Sequence, residues 1–379
     1  MPESEKIAGC ATAEGTRRFA ARFPELPGHF RRPDRLWLSS LGLGTKPGAP
    51  GGVDDLCYRS VAPRALELGV NVFDTSISYR QQTSERALGR ALARAFREGG
   101  AKRDEVFVIS KCGYLAPDAE SVMDGRRYLV RTYLDTGLIE LDEVVNGVHV
   151  LSPRFIADQI ERSRANLGLE TIDLYLLEDP ELQLAARGPT GFRDALAAWF
   201  EALEEAVERG AIASYGLSTW HGLLVPYGER GHMSMFELLE TAMEVGGAEH
   251  HLRGIALPYS VAFGEAKGLA SQFGPEARAA NLFETLIDTG TAVFTAAPLV
   301  HGRAARGLPL FFRQAFPALR TDAQRCLQFA RSTPGVTTAL VAMRSPEHVD
   351  ENLALASHEP SKPEVIDALF ERARKRSER

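Results

Sequence analysis

The sequence predicts an α/β fold, a single (β/α)8 TIM barrel with an N-terminal extension and long strand-end loops. Short apolar runs alternate with longer amphipathic runs along most of the chain, which is the pattern of parallel strands joined by helical crossovers. Eight such pairs are present, the number that closes a barrel. The 379 residues, 44% hydrophobic and 25% charged, are those of a globular protein, and single barrels run from roughly 200 to over 400 residues.

The elements follow in order. Residues 1–35 carry Arg17, Arg18, Arg22, Arg31 and Arg32 without periodicity, so an extension packed outside the main fold or partly mobile is expected there. The barrel takes 36–379, ending in a helical segment. Leu36 to Gly44 reads as a strand, Asp54 to Leu68 as a helix, Val70 to Asp74 as a strand and Ser84 to Arg97 as a helix. Val106 to Lys111 is strand-like, Pro153 to Leu167 helical, Ile172 to Leu177 strand-like, Phe192 to Arg209 helical and Ile212 to Leu217 strand-like. Met235 to Val245 precedes the strand Gly254 to Leu257, Glu276 to Asp288 precedes Ala292 to Ala296, and Asp322 to Arg331 precedes Thr338 to Ala342, with helix after Pro346. A doubly wound open sheet is the competing fold, but its dinucleotide fingerprint needs a third glycine that Gly42-Leu43-Gly44-Thr45-Lys46-Pro47 lacks. Between Lys111 and Ser152 about forty weakly periodic residues read as a substrate-covering loop.

A net charge of -6 argues against a nucleic-acid partner. The C-terminal Arg372, Arg374, Lys375 and Arg376 alternate with Glu371 and Glu378 as on a solvated helix. Cys10, Cys57, Cys112 and Cys326 lack C-x-x-C spacing, which suits reduced thiols in the cytoplasm and no structural metal. The polar start MPESEKIAGC and the lack of a window of about 20 apolar residues point away from export and from membranes.

In such a barrel the chemistry sits in the loops after the strand C-termini. The second strand runs into Asp74-Thr75-Ser76-Ile77-Ser78-Tyr79 and the third ends at Lys111. A phenol is a poor acid near neutral pH, but an ammonium within about 4 to 6 Å lowers its pKa. Lys111 would supply that cation, Asp74 would hold Lys111, and Tyr79 would donate a proton as hydride reaches a carbonyl carbon.

These residues, with Ser84-Glu85-Arg86-Ala87-Leu88-Gly89 after them, resemble the aldo-keto reductase family, whose tetrad is Asp, Tyr, Lys and His. The stretches Gln159 to Ser163, Asn166 to Leu169 and Ile172 to Leu177 resemble its third helix and fourth strand. The resemblance implies an NADPH-dependent oxidoreductase of aldehydes or ketones, with NADP(H) as cofactor, NAD(H) as a second option, and a small carbonyl or enone substrate. It further implies that Thr45 and Asp74 border the cofactor, that Ser218 and Thr219 hold the carboxamide, and that Pro298, Leu299 and Gly302 wrap the pyrophosphate. Arg344, Ser345, His348, Glu351 and Asn352 would form the adenosine-phosphate clamp, where a loop entering a helix offers free amides and Arg344 adds charge. Ser345 before Pro346 is equally a helix cap, and the two uses are compatible.

The chain departs from the family at Glu178, where the resemblance calls for the tetrad histidine. An ionised glutamate would oppose phenolate formation on Tyr79, whereas one buried among apolar walls and protonated would donate to the substrate oxygen. Steroid 5β-reductases within the family resemble that arrangement, which opens carbon–carbon double-bond reduction as an alternative. A redox-sensing barrel that binds nucleotide with little turnover is the other. At the sixth strand Ala256 and Ser260 stand where glutamine and asparagine are usual, leaving Tyr259 as a candidate to stack on the nicotinamide.

Overall fold

The computed structural model describes residues 6–273, 278–287 and 289–377. Eight parallel strands close a barrel: β1 (Leu41–Gly44), β2 (Val72–Asp74), β3 (Phe107–Cys112), β4 (Leu174–Glu178), β5 (Tyr215–Ser218), β6 (Leu252–Pro258), β7 (Ala292–Ala296) and β8 (Thr338–Ala342). Each pairs with its sequence neighbours, and β8 pairs with β1 through Ala339 to Ala342 against Leu41 to Gly44. The period-2 pattern sorts the side chains. Leu174 and Leu176 point inward with Val72, Phe107, Ile109 and Phe294, while Tyr175 and Leu177 face the helices. Phe107 and Phe294 stack across the interior with ring centroids 5.9 Å apart, so the barrel is filled and its chemistry is confined to the open end.

The crossover helices are α1 (Gly52–Glu67), α2 (Thr83–Arg97), α3 (Pro153–Leu167), α4 (Glu181–Glu208), α5 (Met235–Gly246), α6 (Leu282–Ile287), α7 (Asp322–Ser332) and α8 (Pro346–Leu353). Helix α4 starts eleven residues before the expected Phe192, and Gly188 (φ 70°, ψ 171°) ahead of Pro189 breaks it, because proline cannot continue the ladder from the residue before it. Helix α6 is shorter than expected. Asn281 accepts from the Glu284 amide at 3.0 Å and fixes the helix start, and the preceding Ala279–Ala280 pairs antiparallel with Gln272–Phe273. Glu276, Ala277 and Asp288 of that expected helix lie outside the described residues, as do residues 1–5 and Glu378.

The N-terminal extension is built into the barrel floor. Thr12 caps a helix over Ala13–Ala20, Phe19 is fully buried, and Arg18 and Arg22 bond Glu105 just before β3. Phe30–Arg31 pairs with Leu38–Ser39, and Leu38 closes the bottom of the inner core. The 112–151 segment departs from expectation. It packs beside α2 and α3, with Tyr133 buried against Phe155 and Asp118 gripped by Arg86 through two 2.7 Å bonds. It contributes no wall to the open-end cleft, because its aromatic residues find a better apolar partner on the barrel's outer face than over the mouth. Among the described residues no helix is long and apolar enough to cross a membrane, and no cluster of His, Cys, Asp and Glu has the form of a metal site.

Candidate active site

Strand register places the end residues side by side. Asp74 closes β2, Lys111 lies near the end of β3, and Glu178 ends β4 opposite Ser218. The Lys111 ammonium donates to Asp74 and, at 2.7 Å, to the Thr75 carbonyl. Their side chains are 3% and 9% exposed, so this is a buried ion pair. Tyr79 is buried in the turn before α2, with the Lys111 ammonium 4.8 Å from its ring centroid.

One electrostatic expectation is reversed. Tyr79 is held well above the ordinary phenol value, first by burial and then by Glu178, Asp74 and Asp179. Lys111 spends its charge on Asp74, so the phenol sees the carboxylates around it more than the cation. The Glu178 carboxylate accepts from the Ser76 hydroxyl at 3.2 Å and from Ser78 at 3.4 Å. Its main-chain carbonyl pairs with His149 Nε2 at 2.9 Å. His149 in turn meets Gln183 at 3.1 Å through Nδ1, and burial lowers its pKa, so a neutral ring donates to Glu178 from behind the wall. His149 supports the end of β4 and does not line the cleft.

Three neighbours escaped the sequence reading. Asp179 lines the cleft in left-handed backbone (φ 48°), receives the Tyr114 hydroxyl, and has its carboxyl pKa raised to about 6, chiefly by burial. Lys46, exposed after β1, holds its ammonium 5.3 Å from the Tyr79 ring on the cleft side. Trp220 follows β5 into the same wall. All three lie within four residues of a strand end, so applying the strand-end rule to every strand would have found them.

From Tyr79 a cleft of about 1140 Å³ runs along the barrel mouth. Its walls include Asp74, Lys111, Glu178, Ser218 and Thr219 beside Tyr79, together with Pro298, Leu299 and Gly302 and with Arg344, Ser345, His348, Glu351 and Asn352 around the start of α8. Ser345 caps α8, accepting from the His348 amide at 3.3 Å. Two expected contacts fall outside the cleft. Tyr259 is fully buried behind β6, stacked on Phe329 at 5.3 Å with its hydroxyl bonded to Thr333, because an inner apolar pocket with a hydroxyl partner satisfies both ends of a tyrosine. Thr45 is buried beneath the cleft, donating to the Asp74 carbonyl at 2.9 Å and accepting from Ser84 at 2.7 Å, so it braces β1 against β2.

Residues 40–223, which carry Asp74, Tyr79, Lys111 and Glu178, match the model of the aldo/keto reductase family. Over that part the chain is similar to the aldo/keto reductase family. An aldo/keto reductase from Klebsiella pneumoniae, solved in complex with NADP and acetate, superposes with a TM-score of 0.59 over 91% of this chain and 95% of its own, at 19% identity. At that identity the likeness is one of fold. Among curated relatives, the NADPH-dependent D-xylose reductase of Meyerozyma guilliermondii is 24% identical over 59% of this chain and 62% of its own length. The NADH-specific methylglyoxal reductase of Escherichia coli is 28% identical over 37% of this chain and 38% of its own. The chain thus spans less than two thirds of the length of those relatives.

Proposed function

We propose that this chain is an oxidoreductase that reduces aldehyde or ketone carbonyls with a reduced nicotinamide nucleotide, NADPH or NADH, and that Tyr79 is the proton donor. The observation that carries this reading is the position of Tyr79. It stands against a buried Lys111–Asp74 pair in a cleft that is also lined by the N-terminus of α8 and by Arg344.

The cleft fits such a nucleotide. Ala256 and Ala296 give the cleft small apolar wall positions, Ser218 and Thr219 offer hydroxyls, and Ser345, His348 and Arg344 at the start of α8 offer donors to phosphate. When bound there, the nucleotide supplies hydride. Tyr79 gives its proton to the carbonyl oxygen and is left as a phenolate facing the Lys111 ammonium. Asp74 and the Thr75 carbonyl keep that ammonium aimed at the ring. The raised pKa of Tyr79 makes it a weaker acid than a free phenol, so proton donation leans on the Lys111 ammonium that faces the phenolate left behind.

A second reading, reduction of a conjugated carbon–carbon double bond, is favoured by Glu178, a buried carboxyl beside Tyr79. If protonated when substrate expels water, it would donate to the enone oxygen. The deciding experiment is Tyr79→Phe. Nucleotide oxidation should fall by about 10²-fold or more while nucleotide binding, followed by fluorescence, is retained. Full activity in Tyr79→Phe would end the reading. A panel of matched aldehydes, ketones and enones then separates the two reactions by product analysis.

A further inference from the structure

In the wall of the cleft before α8, Arg344 is not a free cation. Its guanidinium bonds Asp54 Oδ1 at 2.7 Å across the cleft mouth, and both residues line the cleft. Asp54 is fixed in that position. Its other oxygen accepts from the Ala49 amide at 2.8 Å, and the loop backbone folds onto it so closely that a Cβ on Gly48 would come within 2.7 Å of its carboxyl carbon. Gly48 also has φ 120°, a conformation L side chains rarely adopt, so the loop that seats Asp54 depends on glycine. The Ala49 amide and Arg344 both hold the carboxyl below its usual range, so a fixed negative charge stands in the region where Arg344 would meet an adenosine ribose.

We propose that Asp54 sets the coenzyme choice of this chain, weakening its hold on a 2′-phosphorylated nucleotide relative to one with a free 2′-hydroxyl. The inference rests on the cleft being a nucleotide site. A 2′-phosphate approaching Arg344 must displace Asp54 from the guanidinium and lie beside a second anion, whereas a neutral ribose leaves the pair intact and finds in the carboxylate a hydrogen-bond acceptor for its hydroxyl. The pair is partly solvated, with Arg344 52% and Asp54 18% exposed on their side chains, so the effect is moderate and screened by salt.

The test is fluorescence titration of NADPH and NADH, separately, into the parent chain, Asp54→Asn, Arg344→Leu, and the two combined. Asparagine retains an oxygen for the Ala49 amide and removes only the charge. At low salt Asp54→Asn should tighten NADPH by roughly 5- to 10-fold and change NADH by less than about twofold. The NADPH gain should shrink at high salt and in the Arg344→Leu background. An unchanged or weakened NADPH affinity in Asp54→Asn overturns the proposal, as does an equal change for both nucleotides, which would make Asp54 a structural brace. Failure of the parent to bind either nucleotide would instead overturn the reading of the cleft itself, and this inference with it.

Discussion

Breaking the Lys111–Asp74 pair from one side should cost far more than removing it whole. With the two side chains 3% and 9% exposed, Lys111→Met leaves the Asp74 carboxylate in the barrel mouth without its cation. A buried charge stripped of its partner costs about 3–5 kcal/mol. Asp74→Leu strands the ammonium with only the Thr75 carbonyl and should cost a similar amount. The double variant carries no buried charge and fills nearly the same volume, so it should lie within about 1–2 kcal/mol of the parent or above it. The coupling is therefore at least about 3 kcal/mol, well beyond the roughly 0.5 kcal/mol within which independent sites add. Urea denaturation followed by circular dichroism and tryptophan fluorescence measures it, provided the two probes coincide and the m-value is unchanged. Strictly additive costs, or a Lys111→Met penalty under about 1 kcal/mol, would refute the buried-pair argument. The double variant also separates fold from chemistry. It should unfold like the parent yet lose most turnover, because Tyr79 no longer faces the buried Lys111 ammonium.

Two further outcomes follow from the same geometry. Phe19 is fully buried and packs edge-on against Phe30 at 6.1 Å, so Phe19→Ala should cost about 3–5 kcal/mol in urea denaturation, whereas an extension merely resting on the barrel would lose under about 1 kcal/mol. Asp179, whose carboxyl is raised to about 6 in the fold, favours the folded state when protonated. Its contribution is complete below the ordinary carboxylate value near 4 and is lost as pH rises through 6. Asp179→Asn should therefore gain thermal stability over the parent progressively between pH 4 and about 6.5, and a difference in melting temperature that stays constant over that range would contradict the burial of this carboxyl.

Much of the barrel was legible because its strands and helices obey different periods. Pro153–Leu167, Ala292–Ala296 and Thr338–Ala342 were read to the residue, whereas the starts of α4 and α6 lie eleven and six residues from the expected Phe192 and Glu276. What failed were features set by tertiary partners. The seating of Tyr128 and Tyr133 against α2 and α3 depends on Gln82 and Gln159, which no local pattern links to residues 112–151. The front of α6 was lost to an antiparallel pair between Ala279–Ala280 and Gln272–Phe273, and alanine alone does not announce a strand.

The site shows the same division at finer grain. Residues at strand ends were found because their position is fixed by topology, and Asp74, Tyr79, Lys111 and Glu178 do meet around one cleft. The direction of the Tyr79 shift was misjudged because a pKa depends on the whole surrounding shell and not on one named partner. The Lys111 ammonium lies 4.8 Å from the Tyr79 ring, as the acidification argument required, yet the phenol moves the other way because Asp74 claims the cation while Glu178 and Asp179 add anions. A histidine in place of Glu178 would remove the larger of the two extra charges. Under the proposed reading Glu178 is therefore the residue to vary first. Its carboxylate, held by the Ser76 and Ser78 hydroxyls, makes Tyr79 a harder acid to deprotonate. Glu178→His should thus lower the Tyr79 pKa and speed proton donation, and an unchanged rate would contradict that coupling.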